Sequence, residues 1–320
     1  MRILLIKTSS LGDVVHNLPV VTDLRQHFPD AAIDWVVEEA FIDIPRLHPG
    51  VRRVIPVAMR RWRASLFRCS TWREIGVFRR TLQELDYDLI IDTQGLLKSA
   101  LITRMAHGMR CGYDRSSARE PQAARFYDAT FEVSKNLHAV SRNRRLVALA
   151  AGYDAAETLD YGIAASPPAA RDVPAGTVAK TSAVLLTATS RDDKLWPEDH
   201  WIALGRALHE QGLTCLLPGG SAGERQRAQR LAQAISGAIA LPPLSLADLA
   251  NHLAGAHIVV GVDTGLVHLA AALGRPTLAL FRASDPTLTG VLAITAAINL
   301  GTRGAPPSVD DVLTAARPLL

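Results

Sequence analysis

Two acids in this 320-residue chain stand where an apolar run gives way to polar residues and glycine. The first is Asp13, in "TSSLGDVVHNLP" (8–19), directly after the run "RILLIK". A carboxylate there reads either as a helix N-terminal acid favoured by the macrodipole or as a general base for an attacking hydroxyl. Gly12 before it would let the backbone pass close to a ligand. The second acid is Asp263, in "GVDTGLVHLAAALGRPT" (261–277), where an apolar run ends and a helix is expected to open. The free N–H groups of that helix start would make an anion site. Gly265 keeps bulk away from it, Thr264 adds a hydroxyl, and His268 follows one turn later. Asp263 repels phosphate and suits sugar hydroxyls instead; a plain capped strand-to-helix turn is the other reading.

Other single residues add to this. "TATSRDDKLWPEDHW" (187–201) places Lys194 just before Pro197, which suits a helix start. An ammonium there could meet the charge arriving on a departing diphosphate, or simply be solvated. "PGGSAGERQR" (218–227) offers Glu224, which could hold the two hydroxyls of a ribose or act as a helix N-terminal acid. "AMRRWRASLFR" (58–68) interleaves Arg60, Arg61, Arg63 and Arg68 with Trp62, Leu66 and Phe67, a mixture that suits an anionic, partly apolar surface, with a solvated helix face as the alternative. "DYD" (86–88) has the spelling of a D-x-D metal motif but precedes its strand, at the wrong end of a sheet for that use. No His, Cys or carboxylate cluster has metal-ligand spacing, so neither a metal nor a cofactor is expected.

These residues need elements to hold them. Apolar runs at 2–7, 33–38, 53–58 and 88–93 alternate with helix-length amphipathic segments, which is the doubly wound α/β pattern. The periodicity stops at "IAASPPAARDVPAGT" (163–177), read as a linker, and resumes with runs at 183–189, 213–220, 257–263 and 277–281. Two Rossmann-like lobes are expected: 1–164, 178–307, and a last helix within 308–320. Ligands of such sheets bind beyond the carboxyl ends of the strands, so the chemistry is expected in a cleft between the lobes.

Composition sets outer bounds. The residues are 48% hydrophobic, enough for large cores, and the formal charge of +4 fits an anionic partner without calling for nucleic acid. Three widely spaced cysteines, Cys69, Cys111 and Cys215, form neither a disulfide framework nor a zinc site, so a reducing cytosol is expected. The apolar run at the N-terminus is too short for a signal peptide or a bilayer span. Contact with a membrane would then be peripheral.

Taken in order, "KTSSLGDVVHNLP", "RRWR", "DTQGLLKSAL", "AREP", "DDKLWPEDHW" and "VDTGLVHLAAALGRPT" resemble the lipopolysaccharide heptosyltransferases, most closely the type I enzymes, over nearly the whole chain. The resemblance implies a GT-B architecture and an inverting transfer of L-glycero-D-manno-heptose from ADP-heptose to the Kdo of Kdo2-lipid A, at the inner face of the cytoplasmic membrane. By that resemblance Asp13 is the catalytic base and Lys194 contacts the diphosphate. Thr189, Ser190, Glu224, Leu244, Asp263, Thr264, Gly265 and His268 complete the donor site, and Arg60, Arg61, Arg63 and Arg119 face the acidic acceptor. The last helix of such proteins often crosses back to the first lobe. One departure is visible: relatives tend to have G-P-T-D-P where this chain has "RASDP" (282–286). The competing readings are a heptosyltransferase II or other ADP-heptose transferase, an NAD-dependent oxidoreductase, and a non-catalytic lipopolysaccharide-binding protein. Absence of G-x-G-x-x-G after the first run argues against the oxidoreductase, and "RRWR" and "AREP" favour type I over type II.

Overall fold

The computed structural model describes residues 1–155, 157–165 and 181–320, and the chain divides into two compact units, Met1–Ile163 and Ala164–Leu320. Most of the expected linker, from 166 onward, lies outside the described residues, as does the expected start of the second lobe at 178. In the first unit the strands are β1 (Arg2–Ile6), β2 (Ala32–Glu38), β3 (Val51–Val57), β4 (Asp86–Asp92), β5 (His107–Tyr113) and β6 (Ala129–Phe131). In the second they are β7 (Ser182–Leu186), β8 (Thr214–Leu217), β9 (Ile239–Ala240), β10 (Ile258–Val262), β11 (Thr277–Leu280) and β12 (Ala297–Leu300).

Each unit forms one six-stranded sheet, ordered β3-β2-β1-β4-β5-β6 and β12-β11-β10-β7-β8-β9, and the pairs are parallel. Counted from its own first strand, each has the doubly wound order 3-2-1-4-5-6, which reverses direction between β1 and β4 in one and between β7 and β10 in the other. Parallel strands with helices on both faces lose water on both sides. Accordingly Ile3 to Ile6 and Val259, Val260 and Val262 are fully buried. This is the expected α/β fold of GT-B type.

The sequence reading found the strongly apolar strands, the edge strand β3 among them, and missed β5, β6, β9 and β12. "HGMRCGY" (β5) contains two glycines and an arginine, and its first three residues are exposed, so it shows no apolar run. β6, β9 and β12 are short and only partly buried. A buried ion pair joins helices in the first unit: Arg144 on Ala139–Ala151 donates from Nε and Nη2 to Asp23 on Leu18–His27, at 2.7 and 2.9 Å. The last helix, Val309–Ala316, packs on its own unit, against the helix Glu198–Glu210 and strands β11 and β12. Val312 and Ala316 are fully buried there beside Trp196 and Trp201. Its apolar face is thus buried in the core of the second unit.

Candidate active site

In the first unit, the loop after β1 and the end of β4 meet at the point where strand order reverses. Lys7 ends the apolar β1 run, is 3% exposed, and donates from Nζ to Thr93 O at 2.8 Å and Asn143 Oδ1 at 3.3 Å. The Gln94 carboxamide oxygen accepts the Thr8 and Ser9 amides at 3.1 and 3.2 Å, tying the loop to β4. Asp92, fully buried, accepts from the Tyr127 hydroxyl at 2.7 Å and from the Gln94 and Gly95 amides. Burial pushes its carboxyl above the ordinary value. Gly95 lies in the left-handed region at φ +65°, and a Cβ there would meet Tyr113 at 3.1 Å and the Arg119 amide at 3.4 Å. The residue therefore lets the loop carrying Arg119 come close.

Asp13 is the third residue of a short helix, Leu11–Val15. One oxygen serves the cap: Oδ2 accepts from the Ser10 amide at 3.0 Å. The other, Oδ1, accepts from Arg119 Nη2 at 2.8 Å. The helix N-terminal reading of Asp13 is therefore seen directly, and its second oxygen is paired with Arg119. Burial favours its neutral form, but the charges of Lys7 and Arg119 together with the Ser10 and Arg119 hydrogen bonds outweigh it and hold the carboxyl below the usual range. Lys7 in turn is pushed down to about 8, burial outweighing the attraction of Asp13 and Asp92. Arg119, expected to face an acceptor, spends its guanidinium first on Asp13. Sequence reasoning missed Lys7, Gln94 and Lys98, whose Nζ reaches Ser9 Oγ at 3.2 Å. The signal available was a lysine closing an otherwise apolar strand.

The expected arginines sit on the helix Met59–Ala64, and they are not equivalent. Arg61 is held by Glu39 at 3.1 Å and by Glu74 at 2.7 Å. Arg60 lies 5.5 Å over the Phe41 ring and uses its amide on Glu38. Arg63 is exposed and makes none of these contacts.

In the second unit, the loops after β7 and β10 meet at the equivalent reversal. Lys194 Nζ donates to Asp263 Oδ2 at 2.6 Å, and Ser284 Oγ donates to the same oxygen at 2.5 Å. Thr189 Oγ1 donates to the Asp263 carbonyl at 3.1 Å. So the lysine is paired rather than solvated, and the divergent "RASDP" segment contributes a contact to Asp263 that the sequence did not single out. Thr264 caps the helix Gly265–Ala272 without its side chain accepting a bond, so the first turn keeps open amides. His268 is buried within that helix, at 6% exposure. Ser190 is exposed and Leu244 half-buried.

Glu224 is the third residue of the helix Ala222–Ala234 and closes a capping box with Ser221. Its Oε2 takes the Gly220 and Ser221 amides at 2.8 and 2.9 Å. Gly219 lets this loop lie against the helix start, where a Cβ would stand 2.7 Å from the Arg225 amide. The "DYD" stretch opens β4, at the other end of that strand from Asp92. Among the described residues no group of three or more His, Cys, Asp or Glu is placed to hold a metal, and no helix is long and apolar enough to cross a membrane.

With this geometry in place, the comparisons with known proteins agree along the whole chain. The family model described as glycosyltransferase family 9 (heptosyltransferase) matches residues 75–315. The chain is 50% identical over 295 residues to lipopolysaccharide heptosyltransferase 1 of Pseudomonas aeruginosa PAO1, covering 91% of this chain and 81% of that one. It is similar to the E. coli heptosyltransferase WaaC solved with ADP (TM-score 0.92, 43% identity) and with ADP-2-deoxy-2-fluoro heptose (TM-score 0.89, 42% identity), each covering 100% of both chains. The protein is a glycosyltransferase, and it belongs to family 9, the heptosyltransferases.

Proposed function

We propose that the protein transfers L-glycero-D-manno-heptose, with inversion, from ADP-heptose to the Kdo of Kdo2-lipid A in lipopolysaccharide inner-core synthesis, working from the cytoplasm as a peripheral protein of the inner membrane. The observation that carries the reading is the full-length likeness, above 40% identity, to an E. coli heptosyltransferase solved with ADP and with a fluorinated ADP-heptose.

The acceptor hydroxyl attacks the anomeric carbon as the bond to ADP breaks, and its proton passes to the Asp13 carboxylate. A carboxylate held ionised cannot strip a free hydroxyl in advance, but it accepts the proton late, when the new bond makes that hydroxyl acidic. ADP leaves as an anion and needs no acid. Lys194 has three N–H donors and Asp263 uses one, so two remain for the diphosphate, together with the open amides at Gly265. Thr189, Ser190, Leu244 and His268 complete the donor site. Glu224 keeps Oε1 for a ribose hydroxyl while Oε2 serves its helix. Arg63, Arg60, Arg61 and Arg119 supply positive charge for the Kdo carboxylates and lipid A phosphates.

The test is ADP release from ADP-heptose with and without a Kdo-bearing lipid A acceptor. Release that depends on the acceptor is expected, and no release under either condition overturns the reading.

A further inference from the structure

The turn between the helices Met59–Ala64 and Cys69–Gln83, with the first residues of the second helix, exposes large aromatic side chains. Trp35, Trp196 and Trp201 are fully buried, yet here Phe67 is 104% exposed, Trp72 61% and Leu66 43%. Single exposed apolar residues are ordinary, but adjoining ones mark contact surfaces. The exposure is not that of a frayed loop. The Arg68 amide donates to Ser65 O and the Thr71 amide to Arg68 O, both at 3.0 Å, and the Thr71 hydroxyl donates to Ser65 O at 2.8 Å. Trp72 Nε1 donates to Leu66 O at 2.9 Å, which lays the indole against the turn with its polar atom satisfied.

The charge around the turn names the partner. Residues 58–83 carry seven arginines and a single acid, Glu74, which Arg61 and the Trp62 indole already hold. On the longer helix Arg73 and Arg80 stand at i and i+7 with exposed Val77 between them. A second copy of the chain would bring like charges together, whereas an anionic bilayer offers phosphates to the arginines and a hydrocarbon boundary to the rings.

We propose that this turn is a membrane wedge: Leu66, Phe67 and Trp72 enter the headgroup region of an anionic phospholipid bilayer while Arg68 and Arg73 rest on its phosphates. This deepens the peripheral-membrane part of the function proposed above by giving it a surface, and its test is independent of turnover.

Full-length protein is floated with vesicles of phosphatidylglycerol and phosphatidylethanolamine, and with vesicles of phosphatidylcholine alone. The wild type is expected to float with the first and not the second. Leu66→Ser with Phe67→Ser should weaken flotation about tenfold or more, and Arg68→Gln with Arg73→Gln should weaken it and flatten its salt dependence. With a soluble Kdo-bearing acceptor stripped of acyl chains, the Leu66→Ser/Phe67→Ser variant should turn over as wild type does. Flotation of that variant equal to wild type overturns the proposal, as does wild-type indifference to vesicle charge. So does self-association, seen by light scattering, that disappears in the serine variant. If heptose transfer itself fails, flotation still reads the wedge, so the two failures are distinguishable.

Discussion

The two units have the same strand order and use the same place in it, yet their charges are arranged in opposite senses. At the reversal between β1 and β4, one carboxylate, Asp13, is surrounded by two cations, Lys7 and Arg119. At the reversal between β7 and β10, one cation, Lys194, is held by a carboxylate that a serine also contacts. In the proposed reaction, the first arrangement keeps ionised the anion that takes up the proton. The second offers a cation to the departing diphosphate. A shared topology thus places both ion pairs at the same point of the fold, and on the function proposed above their opposite signs would divide the transfer between the units.

The strongest way to break this contrast is Asp13→Asn, which keeps the shape and removes the proton acceptor. Turnover should fall about 100-fold or more with little change in ADP-heptose affinity. A variant within threefold of wild type would leave Asp13 with its cap role alone, visible as a small drop in melting temperature.

Lys194→Ala probes the other half. If one side chain both contacts diphosphate and meets leaving-group charge, as proposed, turnover and ADP affinity should fall together, turnover by roughly 10- to 100-fold. On the same ground, activity should persist in excess EDTA; a strict requirement for Mg²⁺, restored on adding it back, would contradict the role given to Lys194.

The arginines sharpen the contrast on the acceptor side. Arg63→Ala should raise acceptor KM several-fold and flatten its salt dependence, with donor affinity unchanged. Arg61→Ala should do less, since Arg61 is already engaged with Glu39 and Glu74. Equal effects would mean that those ion pairs open when acceptor binds.

The smallest effect expected is on stability. The folded value of Lys7, about 8, lies below its ordinary 10.5, so in that window the unfolded chain binds more protons. Wild type should therefore gain stability relative to Lys7→Met as pH rises through it, by no more than about 1.4 kcal/mol for each pH unit. Urea melts on either side of pH 8 measure this, and a relative loss with rising pH would reverse the assignment.

Central features were legible because they carry strong local signals. β1, β2, β4, β7 and β10 are apolar runs, and the acids at 13 and 263 stand out where such runs end. What escaped depends on distant partners. Nothing near Lys7 in sequence foretells that Asn143 and the Thr93 carbonyl will hold its ammonium. Ser284 looks like a loop serine until Asp263, 21 residues away, is beside it. Arg119 was placed with the acceptor by family likeness, while its bond to Asp13 spans 106 positions.

The loop of Lys194 has a further tie. The buried Trp196 donates its indole N–H to Pro307 O at 3.0 Å, Arg227 Nη2 reaches the Trp196 carbonyl at 2.7 Å, and Arg282 binds the Leu195 carbonyl. The segment leading into the last helix therefore braces the loop that carries Lys194. For protein engineering, a tag fused after Leu320 leaves this brace intact, whereas trimming the chain back past Pro307 would remove both the brace and the buried Val312 and Ala316, loosening the Lys194 loop together with the core beneath it.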